Sequence, residues 1–304
     1  MATVCGGSQQ SLVGRVCAVI VTYNGGATIL STATAIIDQV DHLVIIDNCS
    51  GEDTLKPIEG IKREFSPKVT LIRNQQNRGL AAALNQGVKV ALNGGFEWVL
   101  TLDQDSEAEG NMVCKMLESY QRYSQQDKVG IIAPYSLFMK DGKRGVVHIK
   151  EGSGDITEVE LIHTSGNLVK HSIFKAVGLF REDYFIDQVD YEFCFRIRNA
   201  GFRILVCNQA VMHHRPGDLK SAYILDRQVF YSNYSAIRRY YMTRNGIILS
   251  KEIRNWKFLK SHTVLVVKEL IKVLLYEEQK WVKFKSILKG LMDGIGGKLG
   301  EFDV

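Results

Sequence analysis

The chain has 304 residues, 45% hydrophobic and 23% charged, a balance that suits one large α/β domain, alone or with an appendage. With 4 prolines, no repeat and no low-complexity tract, it argues against a long disordered linker. The net charge is +5, and residues 251–304 supply most of it, with 11 Lys/Arg against 7 Asp/Glu; the balanced remainder argues against a nucleic-acid-binding surface.

Val16 to Thr22 is a continuous β-branched apolar run of strand length, followed by Tyr-Asn-Gly-Gly and a helical pattern through Ile37. Leu43 to Ile46 predicts a second strand, ending in Asp47-Asn48-Cys49-Ser50-Gly51, then a polar helix and a third strand over Val69 to Ile72. Gly79 to Leu92 predicts a helix, and Trp98 to Leu102 a fourth strand that closes on Asp103-Gln104-Asp105. Another helix leads to a strand over Val129 to Ala133. Strands apolar on both faces, alternating with helices, predict a parallel, doubly wound sheet. Such sheets bind ligands at the carboxyl ends of their strands, and the clusters Thr22-Tyr23-Asn24, Asp47-Asn48 and Asp103-Gln104-Asp105 all fall there.

After Pro134 the pattern becomes mixed. Gly145 to Ile149 and Ile156 to Leu161, split by Glu-Gly-Ser-Gly, predict a β-hairpin. Asp190 to Ala200 predicts a helix, Arg203 to Cys207 and Ala210 to Met212 two short strands, and the pattern from Leu219 onward reads as almost wholly helical. The six cysteines (Cys5, Cys17, Cys49, Cys114, Cys194, Cys207) have no metal-ligand spacing and predict reduced thiols in a cytoplasmic protein. The opening MATVCGGSQQSLVGR lacks the parts of a signal peptide, and no stretch approaches the ~20 apolar residues of a membrane span. A soluble or peripheral protein is expected.

Asp103-Gln104-Asp105 sets two carboxylates one residue apart at a strand end, hard oxygen ligands suited to Mg²⁺ or Mn²⁺. The plainer reading, a pair of loop-capping aspartates, is weakened by that position. A second cluster runs from Phe185 to Arg196 and holds Asp187, Asp190 and Glu192. A capped helix with an i,i+4 ion pair would account for Glu192 and Arg196. It would not account for Thr164-Ser165-Gly166-Asn167 or the adjacent His213 and His214.

Taken in order, VIVTYNG, IIDNCSGED, NQQNRGLAAALNQG, LDQDS, TSGNLV and VDYEFCFRIRNAGFRI resemble the motif series of the family 2 glycosyltransferases with the GT-A fold, from about Val16 to Arg244. Within that family the chain is most similar to bacterial dTDP-rhamnose-dependent rhamnosyltransferases of surface polysaccharide and lipopolysaccharide synthesis. The residues that carry this are His214-Arg-Pro-Gly217, Arg239-Tyr240-Tyr241-Met-Thr-Arg244-Asn245 and Gly290 to Gly300. The resemblance implies a GT-A catalytic domain over 1–245, with a nucleotide-sugar half over 16–134 and an acceptor half over 135–245. A basic helical extension over 246–304 follows.

It also implies roles. Thr22, Tyr23 and Asn24 would line the nucleotide pocket, with Asp47 on the base or ribose. Asn77, Gly79 and Asn85 would shape the wall beside the nucleoside and sugar. Asp103 would sit by the ribose or metal, and Asp105 would be the principal ligand of a Mg²⁺ or Mn²⁺ cofactor. His214 would complete the metal site because it precedes Gly217 by three residues, with His213 its competitor. Asp190 would be the general base of a single displacement that inverts the anomeric carbon. Asp187 and Glu192 could be supporting or acceptor-binding groups, or plain helix charges.

The implied partners are a nucleotide-diphosphate sugar donor and a carbohydrate or lipid-linked acceptor, with no nucleic acid and a possible homo-oligomer. A UDP-hexose donor is the alternative within the family. A sugar-nucleotide nucleotidyltransferase is disfavoured because Val16 to Gly26 lacks a basic glycine-rich loop. A non-catalytic sugar-binding module would have no use for Asp105, Asp190 and His214 together. The lysine-spaced apolar tail after Lys251 suits either a peripheral membrane helix or helices packed on the domain or a second subunit.

Overall fold

The computed structural model describes residues 14–140, 143–146, 154–214, 219–224 and 227–302. They form two compact units, Met1–Phe180 with Phe193–Arg215, and Arg181–Glu192 with Pro216–Val304.

The first unit is built on β1 (Val16–Thr22), α1 (Thr28–Ile37), β2 (His42–Asp47), α2 (Glu52–Glu64), β3 (Val69–Arg73), α3 (Leu80–Asn93) and β4 (Trp98–Asp103). The short β5 (Ser106–Ala108), α4 (Met112–Arg122), β6 (Val129–Lys140), β7 (Lys143–Val146), β8 (Ile156–Val159), β9 (Asn167–Lys170) and α5 (His171–Val177) follow. α6 (Val189–Asn199) begins in the second unit, and β10 (Arg203–His214) completes the first. The sheet order is β3-β2-β1-β4-β9-β6-β10-β5. β1 to β4 run parallel to one another, β9 is antiparallel to both β4 and β6, and β10 returns parallel to β6. The sheet is therefore the doubly wound, mixed α/β sheet expected.

All seven residues of β1 are buried because helices cover both faces of the sheet. On one face Ala18, Ile20, Leu43, Ile45, Leu100 and Leu102 pack with Ile29, Ala33 and Ile36 of α1 and Met112 and Met116 of α4. On the other α3 lies so close that a Cβ on Gly87 would come within 2.2 Å of Val19 Cγ1.

Three expectations need correction. β7 pairs with β6 and β8 with β10, so the described parts of the expected hairpin over residues 145–161 are two separate additions to the sheet; residues 147–153 lie outside the described set. The two short strands after Arg203 are one, β10, interrupted by a register shift between Cys207 and Val211. Leu219 onward is not wholly helical, because β11 (Leu219–Ile224) and β12 (Arg227–Ser232) pair antiparallel. The thiol expectation also needs amending. Cys17, Cys49, Cys194 and Cys207 are free, but Cys114 is disulfide-bonded.

Beyond β12 the second unit is helical, with α7 (Ala236–Glu252), α8 (Trp256–Tyr276) and α9 (Lys280–Gly296). Residues 245 and 246, between which the resemblance implied a junction, are consecutive residues of α7. α7 and α9 approach closely because α9 presents glycine. A Cβ on Gly290 would stand 2.5 Å from the Tyr240 carbonyl oxygen, and one on Gly294 3.0 Å from that of Arg244. Arg239 of α7, 1% exposed, binds Glu269 of α8 at 2.6 Å and also Glu277 at the end of α8, whose carboxylate is reached by Lys283 of α9 at 2.9 Å. Burial alone would raise the Glu269 carboxyl, but hydrogen bonds from Lys272 and Arg239 hold it below the ordinary carboxylate range. No helix among the described residues is long and apolar enough to cross a membrane.

The glycine contact gives a direct stability test. Gly290→Ala forces α9 away from α7 and should lower unfolding free energy by about 1–3 kcal/mol. Gly296→Ala, with nothing within 4 Å of the added carbon, should be neutral or gain about 0.5–1 kcal/mol. Thermal denaturation of the two variants against the parent chain reads both outcomes.

Candidate active site

The carboxyl ends of the parallel strands lie level, since Thr22 pairs with Asp47 and Val21 with Asp103. The polar loops that leave them are tied to one another by side chains. Gln104 accepts on its Oε1 from the Thr22 hydroxyl at 2.7 Å and the Tyr23 amide at 2.9 Å, and its carbonyl accepts from Thr32 at 2.8 Å. This requires glycine at 25, where a Cβ would meet Gln104 Oε1 at 2.4 Å. Asn24 sits at φ 50° and links the first loop to the second: its amide donates to Ser50 Oγ at 2.9 Å, and its Oδ1 accepts from Gly51 N at 3.0 Å.

Asp47 and Asn48 are both buried. The Asp47 carboxylate accepts from Ser50 N at 3.3 Å, and Asn48 serves the third loop. Asn48 Nδ2 donates to Asn77 Oδ1 at 2.8 Å and to Gly79 O at 3.2 Å, while its Oδ1 accepts from Asn74 Nδ2 and Arg78 N, each at 3.0 Å. Gly79 adopts φ 80° at the start of α3. Asn85 lies further along α3, where its amide pairs in both directions with the backbone of Phe180 at 2.9 Å.

The passage from β4 into β5 brings the two carboxylates to a histidine of β10. One potential ligand atom from each of Asp103, Asp105 and His214 lies within 4.8 Å of the others, the spacing a single cation needs. β5 and β10 produce this arrangement by pairing Ser106 with His214 and Glu107 with His213, so that successive histidines face opposite ways. His214 Nδ1 is 3.0 Å from Ser106 Oγ and 3.7 Å from Asp105 Oδ1, whereas His213 Nε2 turns to Glu109 at 2.8 Å. The Thr164–Asn167 loop joins β4 to this group: Ser165 Oγ accepts from Asp103 N at 3.0 Å and donates to Ser106 Oγ at 2.8 Å. Two hard carboxylates and an imidazole, partly buried and with neighbours already oriented, fit a Mg²⁺ or Mn²⁺ ion. Residues 215–217, which include the Gly217 of the resemblance, lie outside the described residues.

Asp190 belongs to the second unit, in the first turn of α6, and its Oδ1 accepts from Tyr191 N at 2.9 Å. Beside it in that unit, Asp187 is held 3.4 Å from Arg238 Nε. Burial, with help from Asp190, pushes the Asp187 carboxyl above the ordinary range against the opposing pull of Arg238. Glu192 is buried.

Comparison with known proteins agrees with this arrangement. The description "Glycosyl transferase family 2" matches residues 17–174. The chain belongs to glycosyl transferase family 2. It is 30% identical to the dTDP-rhamnosyl transferase RfbF of Shigella flexneri over 304 residues, covering 93% of this chain and 96% of the relative. It is 22% identical to the low-salt glycan biosynthesis hexosyltransferase Agl10 of Haloferax volcanii, covering 96% and 95% of the two.

Among solved structures, S. aureus TarS (residues 1–349) with UDP-GlcNAc superposes with a TM-score of 0.59 at 15% identity, over 92% of this chain and 81% of that one. The mannosyltransferase PcManGT of Pyrobaculum calidifontis, with GDP-Man and Mn²⁺, gives 0.56 at 14%, over 94% and 76%. GalNAc-T7 with UDP, GalNAc and Mn²⁺ gives 0.58 at 16%; this chain spans 55% of its length. This family 2 glycosyltransferase has the GT-A fold.

Sequence reasoning gave no role of their own to Gln104, Asn48, Ser106 and Ser165, the side chains that lock the strand-end loops together. All four stand inside or beside the motifs, but a cross-loop hydrogen bond leaves no periodic trace along the chain.

The orientation of the two histidines decides a metal titration. Mn²⁺ binding measured by calorimetry with a nucleoside diphosphate present should be lost in Asp105→Ala and clearly weakened in His214→Ala. His213→Ala should leave it intact, and equal losses in the two histidine variants would contradict the geometry.

Proposed function

We propose that this glycosyltransferase moves L-rhamnose from dTDP-rhamnose to a hydroxyl of a growing, lipid-linked surface polysaccharide and inverts the anomeric configuration. The observation that carries the reading is the grouping of Asp103, Asp105 and His214 at the carboxyl edge of the sheet, in a chain 30% identical along its length to a dTDP-rhamnosyl transferase.

Asp105 and His214, with Asp103, would hold a divalent ion, which when bound would neutralise charge on the departing diphosphate. Tyr23, 48% exposed above a loop pinned by Gln104, offers a ring face to the base. Asp47, Asn77 and Gly79 complete the nucleoside wall, with Thr22, Asn24 and Asn85 holding the loops and α3 behind it. Asp190 takes the proton from the acceptor hydroxyl as that oxygen attacks, and Asp187 sits beside it as a supporting carboxylate. Residues 1–245 serve as the catalytic domain on this reading and 246–304 as its extension.

The enzyme works at the cytoplasmic face of the membrane. α8 and α9 expose Val267, Ile271, Leu275 and Trp281 among lysines, an apolar face with basic flanks suited to an anionic lipid surface.

Calorimetry with a panel of nucleotide sugars and Mg²⁺ or Mn²⁺ should show dTDP-rhamnose bound more tightly than UDP-glucose or UDP-N-acetylglucosamine. A preference for a UDP-sugar would overturn the donor but not the family. In a separate assay, Ile271→Ser with Trp281→Ser should reduce co-sedimentation with anionic vesicles at low salt and leave donor binding unchanged. Vesicles ignored by the parent chain would make these helices packing or dimer elements instead.

A further inference from the structure

The segment that leads into α6 takes a path its own residues disfavour. Phe185, Asp187 and Gln188 have φ of 63°, 61° and 63°, a region that side chains other than glycine rarely adopt. Backbone of this kind persists only where its surroundings over-determine it. Here Phe185 stacks on Tyr241 and Asp187 pairs with Arg238, while the backbone carbonyls are gathered by one side chain, that of Asn245, which is fully buried on α7.

Asn245 Nδ2 lies 2.8 Å from the Tyr184 carbonyl oxygen, 2.7 Å from that of Ile186 and 3.0 Å from that of Asp187. Its two N–H groups thus serve three acceptors, with one hydrogen shared. The amide cannot turn over, because its Oδ1 accepts from Arg244 Nε at 2.9 Å. Arg244 is equally buried and extends the clamp: its Nη2 donates to the Asp183 carbonyl at 3.0 Å and its Nη1 to that of Gly300. Gly300 N donates in turn to the same Asp183 carbonyl at 3.2 Å.

Every hydrogen bond from Asn245 Nδ2 goes to main chain of residues 184–187, and Asp190 follows three residues after the last of them. α6 starts at Val189, so the path of residues 184–188 sets where its first turn begins. We propose that Asn245 is a positioning residue for Asp190, fixing the left-handed loop that delivers this carboxylate to the acceptor hydroxyl. The proposal rests on Asp190 being the general base. The chemistry requires a carboxamide. A carboxylate would face three carbonyl oxygens with no hydrogen to give, and an aliphatic side chain would take this donor from the Ile186 and Asp187 carbonyls, that of Tyr184 keeping its bond from Ile186 N.

A double-mutant cycle on turnover tests this, with donor affinity read by calorimetry. Asn245→Ala should lower kcat about 10²-fold, the scale of a reacting group displaced by about an ångström, and leave donor Kd unchanged. Asn245→Ser, which keeps one donor, should fall between it and the parent chain. Asp190→Asn alone should cost roughly 10²–10⁴-fold. Because Asn245 acts only through Asp190, the double variant should be no slower than Asp190→Asn.

A double variant slower by the full Asn245→Ala factor would overturn the positioning role and leave the base standing. Full activity in Asp190→Asn would remove the base and the proposal with it. If the alanine variant does not fold, the serine variant carries the same cycle. If neither folds, Asn245 is a folding residue and the proposal fails.

Discussion

Parallel pairing of β1 with β2 on one side and β4 on the other is the constraint from which the donor half of this enzyme follows. A parallel strand buried on both faces can keep polar residues only at its ends. The register sets those ends level, Thr22 beside Asp47 and Val21 beside Asp103. On the proposed reading, the groups that meet a nucleotide, its phosphates and a cation, from Thr22 to Asp105, are thereby gathered along one edge. The antiparallel insertion of β9 and the β5–β10 pairing then bring His214 to the same edge.

The second unit solves a different problem. α7 buries Arg239, Thr243, Arg244, Asn245 and Ser250, a set of polar side chains that would destabilise a helix core if any were left without partners. Arg239 is answered by two carboxylates and the Ser232 carbonyl, and Arg244 by main-chain oxygens of Asp183 and Gly300. Thr243 and Ser250 bond back to carbonyls one turn earlier. Replacing such a network by apolar groups can be neutral or stabilising, so stability alone does not account for it. Two of its members, Arg244 and Asn245, hold the main chain of the 183–187 segment.

The α/β half was legible because its elements announce themselves by period: β1 matches the Val16 to Thr22 run residue for residue, and β4 and α3 agree within a residue at each end. The misses share a cause. β5 is three polar or small residues whose strand character comes only from its partner, and β9 is four residues in a loop motif. The site was legible as a set of residue types at strand ends, and the choice between His213 and His214 was not. Strand alternation decides which way each histidine faces, and only the pairing of β10 with β5 sets its phase. The loop before Asp190 was hidden more deeply, since nothing local in Phe185 to Gln188 signals left-handed backbone without glycine.

Gln104 has a consequence of its own. Standing between the two aspartates, it hands its single amide oxygen to Thr22 and Tyr23, so the loop after β1 and the turn after β4 cannot shift independently. On the proposed reading one of these carries the nucleoside and the other the cation. Two ligands that tighten the same mechanical piece are thermodynamically linked, and the linkage is reciprocal: the factor by which the ion raises affinity for the sugar nucleotide equals the factor by which the sugar nucleotide raises affinity for the ion. The middle residue of Asp-Gln-Asp, silent as a ligand, is in this sense the joint through which the donor's organic and inorganic parts sense one another.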